Sequence, residues 1–193
     1  MCQTTFQVED HPVVRILRLQ SDDGTNRLTR SCVISLTDAI RGLSRDRRAL
    51  VITGNNKFFS SGADLDQIAV LKGASAYEFS KMGQALMTEV ESFPAPVYAA
   101  ISGYCMGGGL DLTLACHHRI ATPNAVFGHR GAALGLITGW GGTQRLPRLI
   151  GKGRALELFV AAEKVTTTLA LQIGLIDAIS SDPVAEALRR IHQ

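Results

Sequence analysis

Short runs of apolar residues recur along the chain and are separated by segments in which apolar residues stand at every third or fourth position. The short runs predict buried β-strands at five places. These strands are predicted over residues 13–19, 49–53, 97–101, 119–121 and 175–179. Strands that alternate with helical segments in this way are typical of the α/β class, so we expect an α/β fold.

The segments between the predicted strands have the spacing of amphipathic helices. Thr29 is a suitable N-cap for the first helix, and residues 74–93 predict a second helix that ends before Pro94 and Pro96. Further helices are predicted over residues 110–116, 152–162, 167–173 and 184–192. The polar stretch over residues 54–62 shows neither period, and we interpret it as a loop.

The composition indicates one folded core. The chain has 193 residues, of which 46% are hydrophobic and 19% charged, so it is long and apolar enough to fold without a disulfide framework. No apolar run approaches the roughly 18 residues that a membrane span requires. We expect a core over residues 1–180, followed by a short C-terminal helix over residues 181–193.

Charge and cysteine content narrow the expected partners and compartment. The formal net charge of +3 is small and dispersed, which argues against nucleic acid as a partner. The four cysteines form no CxxC pair and show no metal-ligand spacing, so we expect no metal site. The first residues lack the basic and apolar regions of a secretory signal, and we expect a cytoplasmic protein with reduced thiols.

A glycine-rich turn is the first candidate for chemistry. Three consecutive glycines at residues 107–109 follow a predicted strand and precede a predicted helix. Such a turn presents backbone N–H groups to an anion or a developing oxyanion, but it equally suits the close packing of a helix on a strand. Neither GxGxxG nor GxxxxGK[ST] occurs, which argues against a nucleotide-phosphate loop.

Three motifs in order resemble the crotonase superfamily of enoyl-CoA hydratases and isomerases. They are Ser-Gly-Ala-Asp at residues 61–64, the triple glycine at 107–109 and Gly-Gly-Thr-Gln-Arg-Leu at 141–146. The resemblance covers residues 6–180 and implies a crotonase-like spiral of ββα units with a shortened C-terminal helical segment. It also implies an acyl-CoA thioester as partner, no cofactor beyond the coenzyme A of that substrate, and a homotrimer or hexamer.

The resemblance further implies roles for individual residues. The backbone N–H groups of Ala63 and Gly108 match the oxyanion hole, which holds the thioester oxygen while an enolate forms. Asp111 stands where hydratases of the family carry their first catalytic glutamate, and Gly131 stands at the position of the second. The residues expected to contact the substrate are Ser61, Gly62, Asp64, Leu65, Gly107, His129, Arg130 and Gly131.

The glycine at position 131 leaves the reaction open. His129 is able to move protons and Arg130 to hold a carboxylate; alternatively, both side chains cover the surface near the pocket mouth. Trp140 is interpreted as pocket wall or core. We expect an enzyme that stabilises a thioester enolate without the two-glutamate mechanism of hydration. The alternative is a non-catalytic acyl-CoA-binding or assembly subunit with a degraded active site.

Overall fold

The computed structural model describes residues 4–193, in which groups of one to three strands are followed by one or two α-helices. In chain order, the strands are β1 (Thr4–Asp10), β2 (Val14–Ser21), β3 (Arg27–Leu28), β4 (Ala49–Thr53), β5 (Phe58–Ser60), β6 (Gly62–Ala63), β7 (Val97–Ile101), β8 (Tyr104–Met106), β9 (His118–Ala121), β10 (Val126–Gly128), β11 (Val165–Thr166) and β12 (Ala178–Ile179).

The helices are mostly where the apolar spacing predicts them. They are α1 (Arg30–Leu43), α2 (Leu65–Ala69), α3 (Ala74–Glu91), α4 (Gly108–Ala115), α5 (Gly142–Ile150), α6 (Lys152–Ala161), α7 (Thr167–Gln172) and α8 (Pro183–Ile191). Short 3-10 helices occupy Ser44–Asp46 and Gly131–Leu134. The predicted N-cap at Thr29 is confirmed, because its hydroxyl oxygen accepts a hydrogen bond from the backbone N–H of Cys32 at 3.2 Å.

The largest sheet has six strands in the order β1-β2-β4-β7-β9-β12. β1 and β2 pair antiparallel, and the remaining neighbours are parallel. The central strands β4 and β7 are buried on both faces. Leu50 and Ile52 enter the main core with residues of α1 and α3, whereas Val51 enters a smaller cluster with Ala187 of α8. The continuous apolar runs predicted as strands are thus explained by layers on both sides of the sheet.

A second sheet of short strands is the part of the fold that the sequence pattern misses. Its order is β11-β10-β8-β5, and β3 pairs separately with β6. The interpretation of residues 54–62 as a loop is wrong in part, since β5 lies inside that stretch and β6 begins at its end. Strands of two or three residues are too short to show an alternating pattern, and their pairing partners are far away along the chain.

The parallel strands β5, β8 and β10 position the predicted site. Ser60 pairs with Cys105, and Gly128 pairs with Met106, so the three strands end at one edge of the sheet. The residues that follow these strands are the Ser-Gly-Ala-Asp motif, the triple glycine and His129. Segments that are distant in sequence are therefore brought together at the carboxyl ends of adjacent strands.

The sequence analysis does not predict helix α5. It begins after Gly141, whose φ of 107° lies in the left-handed region, and it contains Pro147. No side chain caps its first turn, and an internal proline normally argues against a helix, so both sequence signals are missing.

Within residues 4–193, no helix combines the length and hydropathy that are needed to cross a bilayer.

Candidate active site

A cavity of about 530 Å³ opens at the carboxyl edge of β5, β8 and β10. Of the predicted site residues, it is lined by all except Asp64. Its walls are largely apolar and include Ile68, Leu71, Phe79, Ile137, Trp140 and Phe159. The Asp64 carboxylate lies instead at the N-terminus of α2, where it accepts hydrogen bonds from the N–H groups of Asp66 and Gln67.

The Ser-Gly-Ala-Asp motif turns one backbone N–H toward the triple glycine. Gly62 has a φ of 97°, and a Cβ there would lie 2.6 Å from the Met106 carbonyl oxygen, so this position requires glycine. The Asp64 N–H donates to the Leu28 carbonyl at 3.4 Å, toward β3. Successive N–H groups of a strand point to opposite sides, so the Ala63 N–H faces away from β3, at the unpaired edge of the two-stranded sheet.

The triple glycine supplies a second N–H at the start of α4. The Gly107 N–H donates to the Gly128 carbonyl at 2.9 Å, which ties the turn to β10. Gly108 is the first residue of α4, so its N–H has no carbonyl acceptor within the helix. A Cβ on Gly108 would lie 3.3 Å from the Ala63 nitrogen, which places the two backbone donors side by side.

Asp111 is buried at the first turn of α4, with a relative exposure of 1%. The Thr138 hydroxyl donates a hydrogen bond to Asp111 Oδ2. Asp111 Oδ1 lies 3.2 Å from His129 Nε2. The sequence analysis missed Thr138, because a threonine in a glycine-rich loop carries no signal that it will face a carboxylate.

His129 and Arg130 have different environments. His129 has a relative exposure of 6%, and its ring centroid lies 5.2 Å from that of Phe159. The alternative that His129 covers the surface is therefore wrong. Arg130 is exposed and lies at the cavity, and within the described chain its guanidinium forms no ion pair. His129 and Arg130 thus contribute a buried imidazole and an exposed guanidinium to the same cavity.

Gly131 leaves no room for a side chain in this conformation. It begins the 3-10 helix Gly131–Leu134, and its carbonyl accepts a hydrogen bond from the Leu136 N–H at 2.8 Å. A Cβ on Gly131 would lie 2.9 Å from the Leu136 carbonyl oxygen. The backbone turn that follows Arg130 therefore excludes a side chain at position 131.

Two further residues shape the site from the glycine-rich motif. A Cβ on Gly142 would lie 2.1 Å from Asp111 Oδ1 and 3.0 Å from His129 Nε2, so its absence makes room for both side chains. Trp140 is confirmed as pocket wall; its indole N–H donates to the Phe79 carbonyl at 3.2 Å. The sequence shows the motif at residues 141–146, but it does not show which side chains Gly142 faces.

Two other kinds of chemistry, a thiol nucleophile and a metal site, were considered for the residues near the cavity. Burial raises the pKa of the Cys105 thiol well above its usual range, which disfavours the nucleophilic thiolate. Among the described residues, no three His, Cys, Asp or Glu side chains are grouped as metal ligands. The polar groups that line the cavity therefore include backbone N–H groups, the Asp111 carboxylate, the His129 imidazole and the Arg130 guanidinium.

Comparison with known proteins identifies relatives along the whole chain. The enoyl-CoA hydratase/isomerase family model matches residues 10–192. A probable enoyl-CoA hydratase of Bacillus subtilis is 43% identical over 144 residues, which are 74% of this chain and 55% of the relative. A crotonyl-CoA hydratase of Syntrophomonas wolfei is 35% identical over 93% of this chain and 70% of its own length.

Solved structures of similar proteins superpose closely on this chain. Pseudomonas aeruginosa DspI superposes with a TM-score of 0.92 at 36% identity, over 97% of this chain and 73% of that chain. An enoyl-CoA hydratase of Bacillus anthracis gives a TM-score of 0.91 at 32% identity, over 97% and 75%. The chain thus has the crotonase fold, and it belongs to the enoyl-CoA hydratase/isomerase family.

Proposed function

We propose that this chain processes acyl-CoA thioesters by stabilising an enolate. The observation that carries the proposal is the juxtaposition of the Ala63 and Gly108 N–H groups at the cavity, on loops that require glycine to approach each other. Two backbone donors at this spacing suit a thioester oxygen on which negative charge develops. The two-glutamate mechanism of hydration is not part of the proposal, because Gly131 has no carboxyl group.

The oxyanion hole acts on the step in which charge develops. When a proton leaves C2 of the acyl group, the electron pair of the C2–H bond forms a C1–C2 double bond, and the thioester oxygen becomes an oxyanion. The positive end of α4 and the two N–H groups stabilise that oxyanion more than the neutral carbonyl. One such donor typically contributes about 10²–10³-fold in kcat.

The remaining cavity residues suggest how the substrate is oriented. Among the described residues that line the cavity, Asp111 is the one carboxylate, so we assign it to the acid–base chemistry of the site. Ser61, Gly62, Leu65 and Gly107 line the wall around the thioester. The exposed guanidinium of Arg130 lies at the same cavity, where it suits an anionic part of the substrate.

A spectroscopic titration tests the proposal. The probe is acetoacetyl-CoA, whose enolate absorbs in the ultraviolet differently from its keto form. We expect the protein to bind this thioester and to increase its enolate band, because the two N–H groups favour the anion. Binding with the keto spectrum unchanged, or no binding, contradicts an oxyanion hole at Ala63 and Gly108. Crotonyl-CoA is the first substrate to assay, since the Syntrophomonas wolfei relative is named for it.

The runner-up is an acyl-CoA-binding subunit without catalysis. It is favoured by the missing carboxyl group at Gly131, where a backbone turn replaces the second acid. This reading predicts calorimetric binding of acyl-CoA with no turnover of enoyl, dienoyl or malonyl thioesters.

A homotrimer or hexamer and a cytoplasmic location stay predictions. Sedimentation of the native protein tests the oligomeric state, and cell fractionation tests the location.

A further inference from the structure

Two buried polar atoms in the cavity lack well-directed hydrogen bonds. The side chains of His129 and Asp111 are 5% and 1% exposed, and His129 Nε2 lies 3.2 Å from Asp111 Oδ1. Neither atom has a partner with proper hydrogen-bond geometry within the described residues. Buried polar groups are nearly always satisfied, so a buried pair without aligned partners in the wall of a cavity points to a catalytic role.

The surroundings hold this pair in place. Thr138 donates to the other carboxylate oxygen of Asp111, and the Phe159 ring packs against the imidazole. Gly142 provides the space, because any side chain there would displace Asp111 Oδ1. Elements from three parts of the chain thus fix a carboxylate and an imidazole beside the wall that carries Gly108.

We propose that Asp111 and His129 form one acid–base unit. In this unit, His129 is the catalytic residue that takes the role of the carboxyl group absent at Gly131. The inference rests on the proposed function, since it needs an enolate in the oxyanion hole. It assigns the proton-carrying atom to His129 Nε2 and the stabilisation of the resulting imidazolium to the Asp111 carboxylate. Thr138 is a positioning residue that acts through Asp111.

The proton transfer balances without any further reagent. Neutral His129 Nε2 takes the proton from C2, the C2–H electron pair forms the C1–C2 double bond, and the carbonyl electron pair moves to the oxygen. The imidazolium then returns a proton to C2, and the enolate electrons move back to form the C2–H bond. In D₂O, the proton on the imidazolium exchanges with solvent before it is returned, so C2 of a saturated thioester acquires deuterium.

Deuterium exchange at C2 of butyryl-CoA, followed by NMR, tests the unit. The variants are His129→Gln and His129→Ala, and the control is His118→Gln, whose imidazole stacks on Tyr98 in the cluster that faces α8. We expect the His129 variants to lose about 10²–10⁴-fold in exchange rate, as for removal of a general base. They keep the enolate band of acetoacetyl-CoA, because the backbone N–H groups remain, and the control keeps both properties.

Imidazole in solution adds a readout that a structural role would not change. The cavity left by His129→Ala is expected to admit imidazole, which restores part of the exchange rate, whereas His129→Gln is not restored. Full exchange in His129→Gln overturns the proposal, and so does wild-type protein that forms the enolate band but exchanges no C2 proton. If the wild-type protein shows neither the enolate band nor exchange, the proposed function itself fails.

Thr138 is tested by a pair of substitutions. Thr138→Val removes the hydrogen bond to Asp111 Oδ2, so the carboxylate is less well aligned with His129. We expect a lower exchange rate with an unchanged KM for butyryl-CoA, and recovery in Thr138→Ser, which keeps the hydroxyl. A Val variant with the wild-type rate, or a Ser variant no better than Val, contradicts the positioning role.

Discussion

At Gly131, the space that a side chain would need is occupied by backbone. A Cβ would lie 2.9 Å from the Leu136 carbonyl oxygen, within a turn closed by the hydrogen bond from Leu136 to Gly131. The local backbone conformation therefore excludes a larger side chain at this position. Under the proposed function, proton chemistry at this site comes from neighbouring residues, and the His129 side chain is buried beside it.

We expect that Gly131→Glu does not produce a two-carboxylate hydratase. The new side chain must displace the 3-10 helix, and overpacking of this kind costs about 1–3 kcal/mol in the free energy of unfolding. Denaturant unfolding measures the loss, and crotonyl-CoA hydration measures the activity. Gly153→Glu is the matched control, because a Cβ at Gly153 of α6 meets open space. Higher hydration activity in Gly131→Glu with unchanged stability contradicts this account.

The Asp111 carboxylate is expected to matter for proton transfer more than for binding. Asp111→Asn keeps the shape and a carbonyl acceptor for Thr138, but removes the negative charge that stabilises an imidazolium at His129. We expect the C2 exchange rate of butyryl-CoA to fall by about 10²-fold or more, with KM nearly unchanged.

The matched control for this substitution is Asp66→Asn, because Asp66 is an exposed carboxylate on the first turn of α2. It is expected to leave the exchange rate at the wild-type value. An Asp111→Asn variant that exchanges as fast as the wild type would remove the carboxylate from the mechanism.

At the scale of elements, Trp140 connects α3 to the turn that carries Gly108, the proposed oxyanion donor. A Cβ on Gly83 of α3 would lie 2.1 Å from the indole ring, and a Cβ on Gly108 would lie 2.5 Å from it. Both glycines therefore allow the ring to pack flat between a helix and the turn that carries the Gly108 N–H. Through Trp140, the position of α3 is therefore coupled to the position of the Gly108 N–H.

Gly83→Ala tests this connection. Alanine normally stabilises a helix relative to glycine, but here the methyl group pushes Trp140 toward Gly108, so we expect destabilisation by about 1–3 kcal/mol and a weaker enolate band with acetoacetyl-CoA. The matched control is Gly42→Ala in α1, where a Cβ meets open space. That variant is expected to gain about 0.5–1 kcal/mol. Equal effects of the two substitutions would show that Trp140 does not depend on Gly83.

In the C-terminal helix α8, Glu186 forms ion pairs with Arg189 and Arg190. Hydrogen bonds from Arg189 and Arg190 lower the pKa of Glu186 from 4.5 to about 2. A carboxyl whose pKa is lower in the folded state stabilises the protein above its unfolded pKa, and this contribution disappears as the pH falls from 4.5 toward 2.

A pH series of Tm values for wild type and Glu186→Gln measures this contribution. We expect the wild type to have the higher Tm at neutral pH and the difference to vanish near the lower pKa. Glu157→Gln is the control, because Glu157 is exposed on α6 and has no ion pair within the described chain. A difference that persists unchanged at low pH would contradict the assignment.

Elements differ in how well the sequence predicts them, and the reason is the range of the interactions that form them. The bounds of β4 and β7 are predicted correctly, since each is a buried apolar run, and α1 carries its own N-cap at Thr29. The short strand β8 and the helix α5 are missed, because long-range pairing stabilises the former and the latter contains Pro147. The site follows the same division: family motifs predict Gly108 and Asp111, but no local signal reveals that Thr138 and Gly142 face Asp111.

At the scale of the whole molecule, stability is unevenly distributed around the cavity. The strands β4 and β7 are buried throughout, whereas the segment after His129 is largely exposed, with Leu134 at 58% and Ile137 at 67%. Local opening is easiest where few apolar contacts are buried. The cavity therefore has a firm wall of sheet and α4 on one side and a weakly held apolar turn on the other.

Hydrogen exchange with mass spectrometry measures this difference. In the free protein, we expect backbone amides of residues 131–138 to exchange much faster than those of β4 and β7. An acyl-CoA that occupies the cavity buries Leu134 and Ile137, so butyryl-CoA at saturating concentration should slow exchange in this segment and leave β4 and β7 unchanged. Free coenzyme A is the control, since it lacks the acyl chain that would cover the apolar turn. Equal protection by free coenzyme A would mean that the turn responds to the nucleotide end of the ligand rather than to an acyl group in the cavity.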